Sequence, residues 1–371
     1  MSPKDPYLLT PGPLTTSAET KKAMLRDWGS RDEAFIEINA QVRRRLVGIA
    51  GGQGSHVCVP LQGSGTFIVE AALGTLIGRR DKALVLINGA YGRRMTKILD
   101  YMGRAYVSLE TPEDTPPDAH DMEKILAADP GITHVLAVHC ETTSGILNPI
   151  EDIAKAAAAR GRRLIIDAMS SFGAVEINVG ELRCEAVMAS SNKCLEGAPG
   201  FGFAIIDEKS LSARQGAAHS LSLDLYDQWT VMEKTRQWRF TPPTHVIAAF
   251  HEALNQFDAE GGVQGRNVRY SGNCLILVEG MRAMGFKTLL PDELQAPIIV
   301  TFHTPADPKF DFRAFYDSLN ARGYVIYPGK LTQADSFRIG CIGCLGAPEI
   351  KGALKAIRET LEEMGVKETA P

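Results

Sequence analysis

Five short apolar runs in the first part of the chain each stop at a cluster of polar or aromatic side chains. The runs are residues 57–61, 82–87, 134–139, 163–167 and 186–189. Their ends read Gln62-Gly-Ser-Gly-Thr66, Asn88-Gly-Ala-Tyr91, Glu141-Thr-Thr143, Asp167 and Ser190-Ser-Asn-Lys193. Runs this short and this apolar are buried strands. Helical stretches separate most of them, among them 67–77 and the alanine-rich 150–160. That alternation predicts an α/β fold around a mainly parallel sheet. Ligands of such sheets bind beyond the carboxyl ends of the strands. The polar ends are therefore expected to converge on one site.

Lys193 stands out among them. An ammonium at the mouth of a buried strand is costly without a partner. A solvated loop lysine would read the same in isolation, so the weight falls on its neighbours. A lysine in a dry pocket loses its proton more readily and becomes a nucleophile toward carbonyl carbon. Asp167 ends the preceding strand, at the same edge of the sheet. The strand at 57–61 enters a glycine-rich turn and then a helix, the layout of a phosphate cradle with Ser64, Gly65 and Thr66 at its mouth. Two familiar glycine signatures do not fit. Ile68 stands where a dinucleotide fingerprint needs its third glycine, and the Gly-Lys-Ser/Thr of a P-loop is missing. Tyr91 offers a flat ring for stacking. Arg93 and Arg94 follow it, but the glycine turn does not place them. A reactive lysine, a carboxylate, an anion cradle and an aromatic together meet the needs of pyridoxal 5′-phosphate.

The remaining chain fixes the outline. Pro11-Gly-Pro13 rules out a regular helix near the start, so an arm that packs through Leu8, Leu9 and Leu14 is expected. A capped helix follows at 16–25 and an amphipathic one at 33–49. Residues 220–229 and 233–240 read as an aromatic-rich loop. Helices are expected at 243–257, 267–284, 312–322 and 348–364, with strands at 297–303, 324–327 and 336–340. This suggests an arm at 1–15, a large domain at 16–258 and a smaller α+β domain at 259–371. With 371 residues, 44% of them hydrophobic, the chain can bury such cores, and a net charge of −4 gives nucleic acid no attraction. No apolar run approaches a membrane span, and the opening residues lack a signal pattern, so a cytoplasmic location is expected. Seven scattered cysteines read as free thiols. Cys341 and Cys344 form a C-x-x-C with no second pair, and the histidines show no ligand spacing, so no metal is expected.

The motifs Leu9-Thr-Pro-Gly-Pro-Leu-Thr15, Leu61-Gln-Gly-Ser-Gly65, Asp167-Ala-Met-Ser-Ser-Phe-Gly173, Ser191-Asn-Lys-Cys194, Ser220-Leu-Ser-Leu-Asp-Leu-Tyr226 and Val325-Ile-Tyr-Pro-Gly-Lys330 carry a resemblance. With them the chain resembles the 2-aminoethylphosphonate–pyruvate transaminases, class-V members of the fold-type-I pyridoxal-phosphate enzymes. The likeness runs from Leu8 to about Leu361. It implies that Lys193 carries the cofactor and then moves a proton, and that Asp167 pairs with the ring nitrogen. It further implies Tyr91 stacked on the ring, where relatives often have tryptophan, and Thr142 near the ring hydroxyl. Ser64, Gly65 and Thr66, with Asn192 beside them, would hold the phosphate. Thr241 would reach it from a second subunit of a homodimer, and Arg338 would grip the anionic end of 2-aminoethylphosphonate or pyruvate. The implied role is phosphonate degradation. Alanine–glyoxylate and serine–pyruvate aminotransferases share such a site. So do cysteine desulfurases, for which Cys341 or Cys344 would have to serve. A cofactor-binding protein without turnover would leave Lys193 idle.

Overall fold

The structure is a computed structural model that describes residues 5–331 and 333–371. Its centre is a seven-stranded sheet in the order His56–Gln62, Phe201–Asp207, Ala186–Ser190, Arg163–Asp167, Ile132–Val138, Lys82–Ile87, Ala105–Glu110. Phe201–Asp207 runs antiparallel to both of its neighbours, and the other pairings are parallel. All five expected strands therefore point their carboxyl ends the same way. Their near-continuous burial shows why they lack the alternation of a half-exposed strand: helices cover both faces. One apolar layer centres on Leu73 of the helix Gly65–Leu76 and on Val85 and Ile87, from one face of the sheet. The opposite layer draws on Phe35, Leu46, Phe250 and Phe257 from the helices Glu33–Ile49 and Thr244–Ala259.

A separate core lies beyond residue 270. There a three-stranded sheet, Ile299–His303, Ser336–Gly340 and Tyr327–Pro328, packs with the helices Gly262–Ala283, Phe312–Ala321 and Ala347–Met364. Leu9 of the arm belongs to this core. Tyr7–Leu8 pairs in parallel with Tyr324–Val325, and Gly340 N–H donates to the Leu9 carbonyl at 2.9 Å. The arm is thus fastened to the chain's last third before it turns toward the large sheet.

Several expectations needed correction. Residues 225–235 form the helix Leu225–Thr235 rather than a loop. Its start carries a cap that is visible in hindsight: Asp224 accepts from Asp227 N–H at 3.0 Å. Tyr91, read only as the end of a strand, lies in the first turn of the helix Ala90–Met102. Helix Gly262–Ala283 begins five residues before the expected Asn267, because Gly261, at φ +100°, ends one helix and directly opens the next. The expected helix at 16–25 splits into Ala18–Lys22 and a 3₁₀ turn, Ala23–Leu25, behind the cap of Ser17. Among the described residues no helix is long and apolar enough to cross a membrane.

Candidate active site

The carboxyl ends of the strands enclose a cavity of about 420 Å³. Lys193 enters it just past the strand Ala186–Ser190. Its Nζ donates to the carbonyls of Pro11, at 2.6 Å, and Gly12, at 3.1 Å. Neither acceptor carries a charge. Removal from water therefore dominates and brings the ammonium down to a pKa of about 8, with Asp167 pulling the other way. The arm can come this close only because residue 12 is glycine. A Cβ there would sit 2.6 Å from Lys193 Cδ and 2.8 Å from the Asn192 carbonyl, and its φ is +102°. Behind the lysine, Arg266 donates to the Cys194 carbonyl, and Glu196 accepts from Tyr270 Oη at 2.6 Å and Arg269 Nη2 at 2.8 Å. These charge-assisted bonds from the helix Gly262–Ala283 hold the lysine loop in place.

Asp167 ends the adjacent strand and is buried. Its Oδ1 accepts from Met169 N–H at 2.9 Å. Burial pushes the carboxyl up to about 6, against that hydrogen bond and the positive charges of Arg94 and Lys193. Its backbone carbonyl takes the His139 N–H at 2.8 Å, which fixes the strand end to its neighbour.

The third wall is the start of the helix Gly65–Leu76. Ser64 occupies the cap position, yet its hydroxyl makes no capping bond and lines the cavity. The first amides of the helix thus lack side-chain cover and face the cavity, where an anion is favoured. A Cβ on Gly65 would meet Met169 Sδ at 2.5 Å. Arg94 Nη1 donates to Thr66 Oγ1 at 3.1 Å. Asn192 Oδ1 accepts from Ser190 Oγ at 3.0 Å. Tyr91 is set by its backbone: its N–H donates to Glu141 Oε2 at 3.0 Å. Glu141 is buried and also accepts from Thr143 N–H, at 3.0 Å, and Thr143 Oγ1, at 2.5 Å. Burial still holds its carboxyl above the ordinary range. The Tyr91 ring has Arg94 Cζ 4.7 Å and Lys330 Nζ 4.6 Å from its centroid.

Residues 19–308 match the family "Aminotransferase class-V". This chain is a class-V aminotransferase. It is 56% identical over 361 residues to the 2-aminoethylphosphonate–pyruvate transaminase of Pseudomonas putida, covering 97% of this chain and 98% of that one. The enzyme of the same name from Pseudomonas aeruginosa is 55% identical over 363 residues, 98% of both chains. Among solved structures, the ureidoglycine–glyoxylate aminotransferase of Bacillus subtilis superposes with a TM-score of 0.91 at 23% identity, over 99% of this chain and 96% of that one. The pyridoxamine–pyruvate aminotransferase of Mesorhizobium loti does so at 0.88 and 25% identity, over 98% and 94%. The fold is that of the fold-type-I enzymes, as expected, and the cofactor of this class-V aminotransferase is pyridoxal 5′-phosphate.

The cavity suits that group in three respects. Lys193 has no carboxylate holding its proton and is easily neutralised. A Cβ on Gly65 would press on the Met169 side chain, so the glycine leaves the helix start open to the cavity without moving that side chain. Asp167 is a buried carboxylate whose raised pKa calls for a cation. The sites expected from sequence divide into two sets. Lys193, Asp167, Ser64, Gly65, Thr66, Tyr91 and Asn192 line one cavity. Thr142, Arg338 and Thr241 are outside its lining. Thr142 is wholly buried, and its Oγ1 has no partner. Arg338 is buried beside it, with Nη1 on the Thr142 carbonyl at 2.7 Å and Nε on the Pro328 carbonyl at 3.1 Å. Thr241 is exposed. Gly12, Met169, Arg94 and Lys330 went unplaced by sequence reasoning. Arg94 had a signal, since it follows Tyr91 by three residues and shares its helix face once the helix is recognised.

Proposed function

We propose that this class-V aminotransferase moves the amino group of 2-aminoethylphosphonate to pyruvate, giving phosphonoacetaldehyde and L-alanine, and so serves phosphonate degradation. The carrying observation is that relatives bearing that name are 55–56% identical across 97–98% of the chain. Pyridoxal phosphate, when bound, supplies an electron sink for the carbon that loses its proton.

The chain's own residues do the rest. Lys193 Nζ, whose pKa burial lowers to about 8, is the group that would hold the cofactor's carbonyl carbon and, when free, would move the proton. Asp167 holds the ring nitrogen's positive charge. The amides at the start of Gly65–Leu76, with Ser64, Thr66 and Asn192, bind the phosphate. Tyr91 stacks, Thr142 meets the ring hydroxyl through its unpartnered Oγ1, and Arg338 takes the substrate anion. The arm at 1–15 and the units 16–258 and 259–371 form the two-domain division, with the cofactor held by the larger unit. The protein works as a cytoplasmic homodimer in which Thr241 of the partner subunit adds to the phosphate site. Its support is an apolar groove beside the cradle, lined by Leu61, Phe67, Trp238 and Phe240, where Phe67 is 51% and Phe240 45% exposed. All seven cysteines are free, which suits a reducing compartment. Of the two cysteines that a desulfurase reading would call on, Cys341 is buried and Cys344 is exposed, so that reading would rest on Cys344.

The visible spectrum of the holoenzyme tests the reading. Adding 2-aminoethylphosphonate without acceptor should bleach the long-wavelength band, and pyruvate should restore it with formation of alanine. A holoenzyme that ignores 2-aminoethylphosphonate but bleaches with serine would move the function to a carboxylate-specific aminotransferase.

A further inference from the structure

The two substrates differ in their anionic group. A carboxylate carries one negative charge. A phosphonate can carry two, although its second proton leaves at a higher pH than that of a phosphate monoester. Arg338 alone balances the first. Lys193 and Arg94 line the cavity, and two more cationic side chains, Arg338 and Lys330, lie outside that lining, Lys330 against the ring of Tyr91, which does line it. Lys193 is the reacting amine. Arg94 bonds Thr66 at the helix start, where the cofactor phosphate belongs. Lys330 has neither duty, and among the described residues it forms no salt bridge. Its ammonium rests 4.6 Å from the centroid of Tyr91, whose ring lines the cavity, and it is half-buried there.

The backbone ties Lys330 to Arg338. Tyr327 pairs with Arg338 across the strands Tyr327–Pro328 and Ser336–Gly340. The Pro328 carbonyl accepts from Arg338 Nε at 3.1 Å, and Gly329 N–H donates to the Ser336 carbonyl at 2.9 Å. A Cβ on Gly329 would collide with that carbonyl, so the turn that delivers Lys330 is tight. Two guanidinium donors are taken by carbonyls, which orients the remaining ones.

We propose that Lys330 is the specificity-determining residue of this site: with Arg338 it forms a two-cation receptor for the dianionic phosphonate, while a carboxylate needs Arg338 only. The inference rests on the proposed transamination and names the element that selects its amino donor. A charge-assisted contact of about 1.5–3 kcal/mol corresponds to roughly a 10- to 100-fold change in affinity.

The experiment compares wild-type and Lys330→Met holoenzyme by calorimetric titration with ethylphosphonate and with propionate, which have no amine to react, at a pH above the second ionisation of ethylphosphonate so that the dianion is the probe. The substitution should weaken ethylphosphonate by roughly 10- to 100-fold and propionate by less than about threefold. KM for 2-aminoethylphosphonate should rise in step, with kcat and the KM for alanine little changed, and Lys330→Arg should restore most of the loss. Equal weakening of both anions, or of neither, overturns the assignment. Titration with unreactive anions keeps the two readings apart. Wild-type enzyme that binds ethylphosphonate but does not turn over 2-aminoethylphosphonate overturns the proposed reaction and leaves the receptor standing. Wild-type enzyme that binds ethylphosphonate no better than propionate overturns the receptor.

Discussion

The two ends of the central sheet bury ionisable groups in opposite ways. At the amino end, His134 Nε2 lies 3.1 Å from Glu185 Oε2, with Arg163 and Arg214 at 3.8 and 3.7 Å from the same carboxylate. The His134–Glu185 contact is within ion-pair range without the alignment of a hydrogen bond. At the carboxyl end, Lys193 and Asp167 each lean on backbone groups instead of on each other. Their ordinary pKa values, 10.5 and 3.8, close up to about 8 and about 6. Charges that meet partners within the chain serve the fold. Buried charges left to carbonyls and amides await something from outside.

The contrast predicts opposite trades between activity and stability. Lys193→Met should lower turnover by about 10⁴-fold or more, since no other residue supplies the nucleophile. The same change should stabilise the cofactor-free protein at pH 7. Below about pH 8 the folded chain must keep Nζ charged in a dry site, a cost the unfolded chain escapes. That penalty fades as pH rises from about 8 toward 10.5, so the variant's advantage should shrink over the same window. A gain of roughly 1–3 kcal/mol at pH 7, read from denaturant melts, allows for the lysine's partial exposure. A loss of stability instead would mean that its bonds to Pro11 and Gly12 outweigh desolvation.

At the other end, Glu185→Gln should cost about 3 kcal/mol of stability while the folded fraction keeps its kcat. If turnover fell with no change in melting, the amino-end cluster would no longer count as structural. The smallest effect concerns capture of the cofactor. The rate at which apoprotein takes up pyridoxal phosphate should rise about tenfold per pH unit below pH 8 and level off above it, as Nζ loses its proton. Stopped-flow absorbance would follow it. A flat profile from pH 6 to 9 would show that some other step limits capture.

Much of this was legible in the chain because fully buried strands leave unbroken apolar runs, and the first polar residue after each run marks the sheet's edge. Lys193, Asp167 and Ser64–Thr66 were found that way. Tyr91 was found as a residue but not as part of a helix, since Gly89 and Gly92 mask the pattern. Gly92 is there because a side chain would press on the Leu86 carbonyl, at 2.9 Å, and Ile87 Cα, at 3.0 Å. The helix Leu225–Thr235 escaped because Tyr226 and Trp229 pack on the second core layer only in part, which blurs its apolar stripe. Arg94 and Lys330 were illegible for a different reason. Lys330 meets the Tyr91 ring across two elements far apart in sequence, which no local spacing records, and Arg94 shows its helical spacing to Tyr91 only once that helix is recognised.

The reversed strand Phe201–Asp207 bears on how the molecule is made. It hydrogen-bonds to His56–Gln62 on one side and Ala186–Ser190 on the other, so it joins the strand that leads to the cradle to the strand that leads to Lys193. Until it has been synthesised and inserted, the strand His56–Gln62 has no hydrogen-bonded place in the sheet, and the helix that carries the cradle is held to the strand before Lys193 by packing alone. The nascent chain therefore contains no finished pocket for pyridoxal phosphate before that strand is in place. The cofactor cannot template the early sheet; it can only trap a finished one, shifting the balance toward the native state by mass action. Shortage of the vitamin would then act on the lifetime of completed molecules rather than on their first folding.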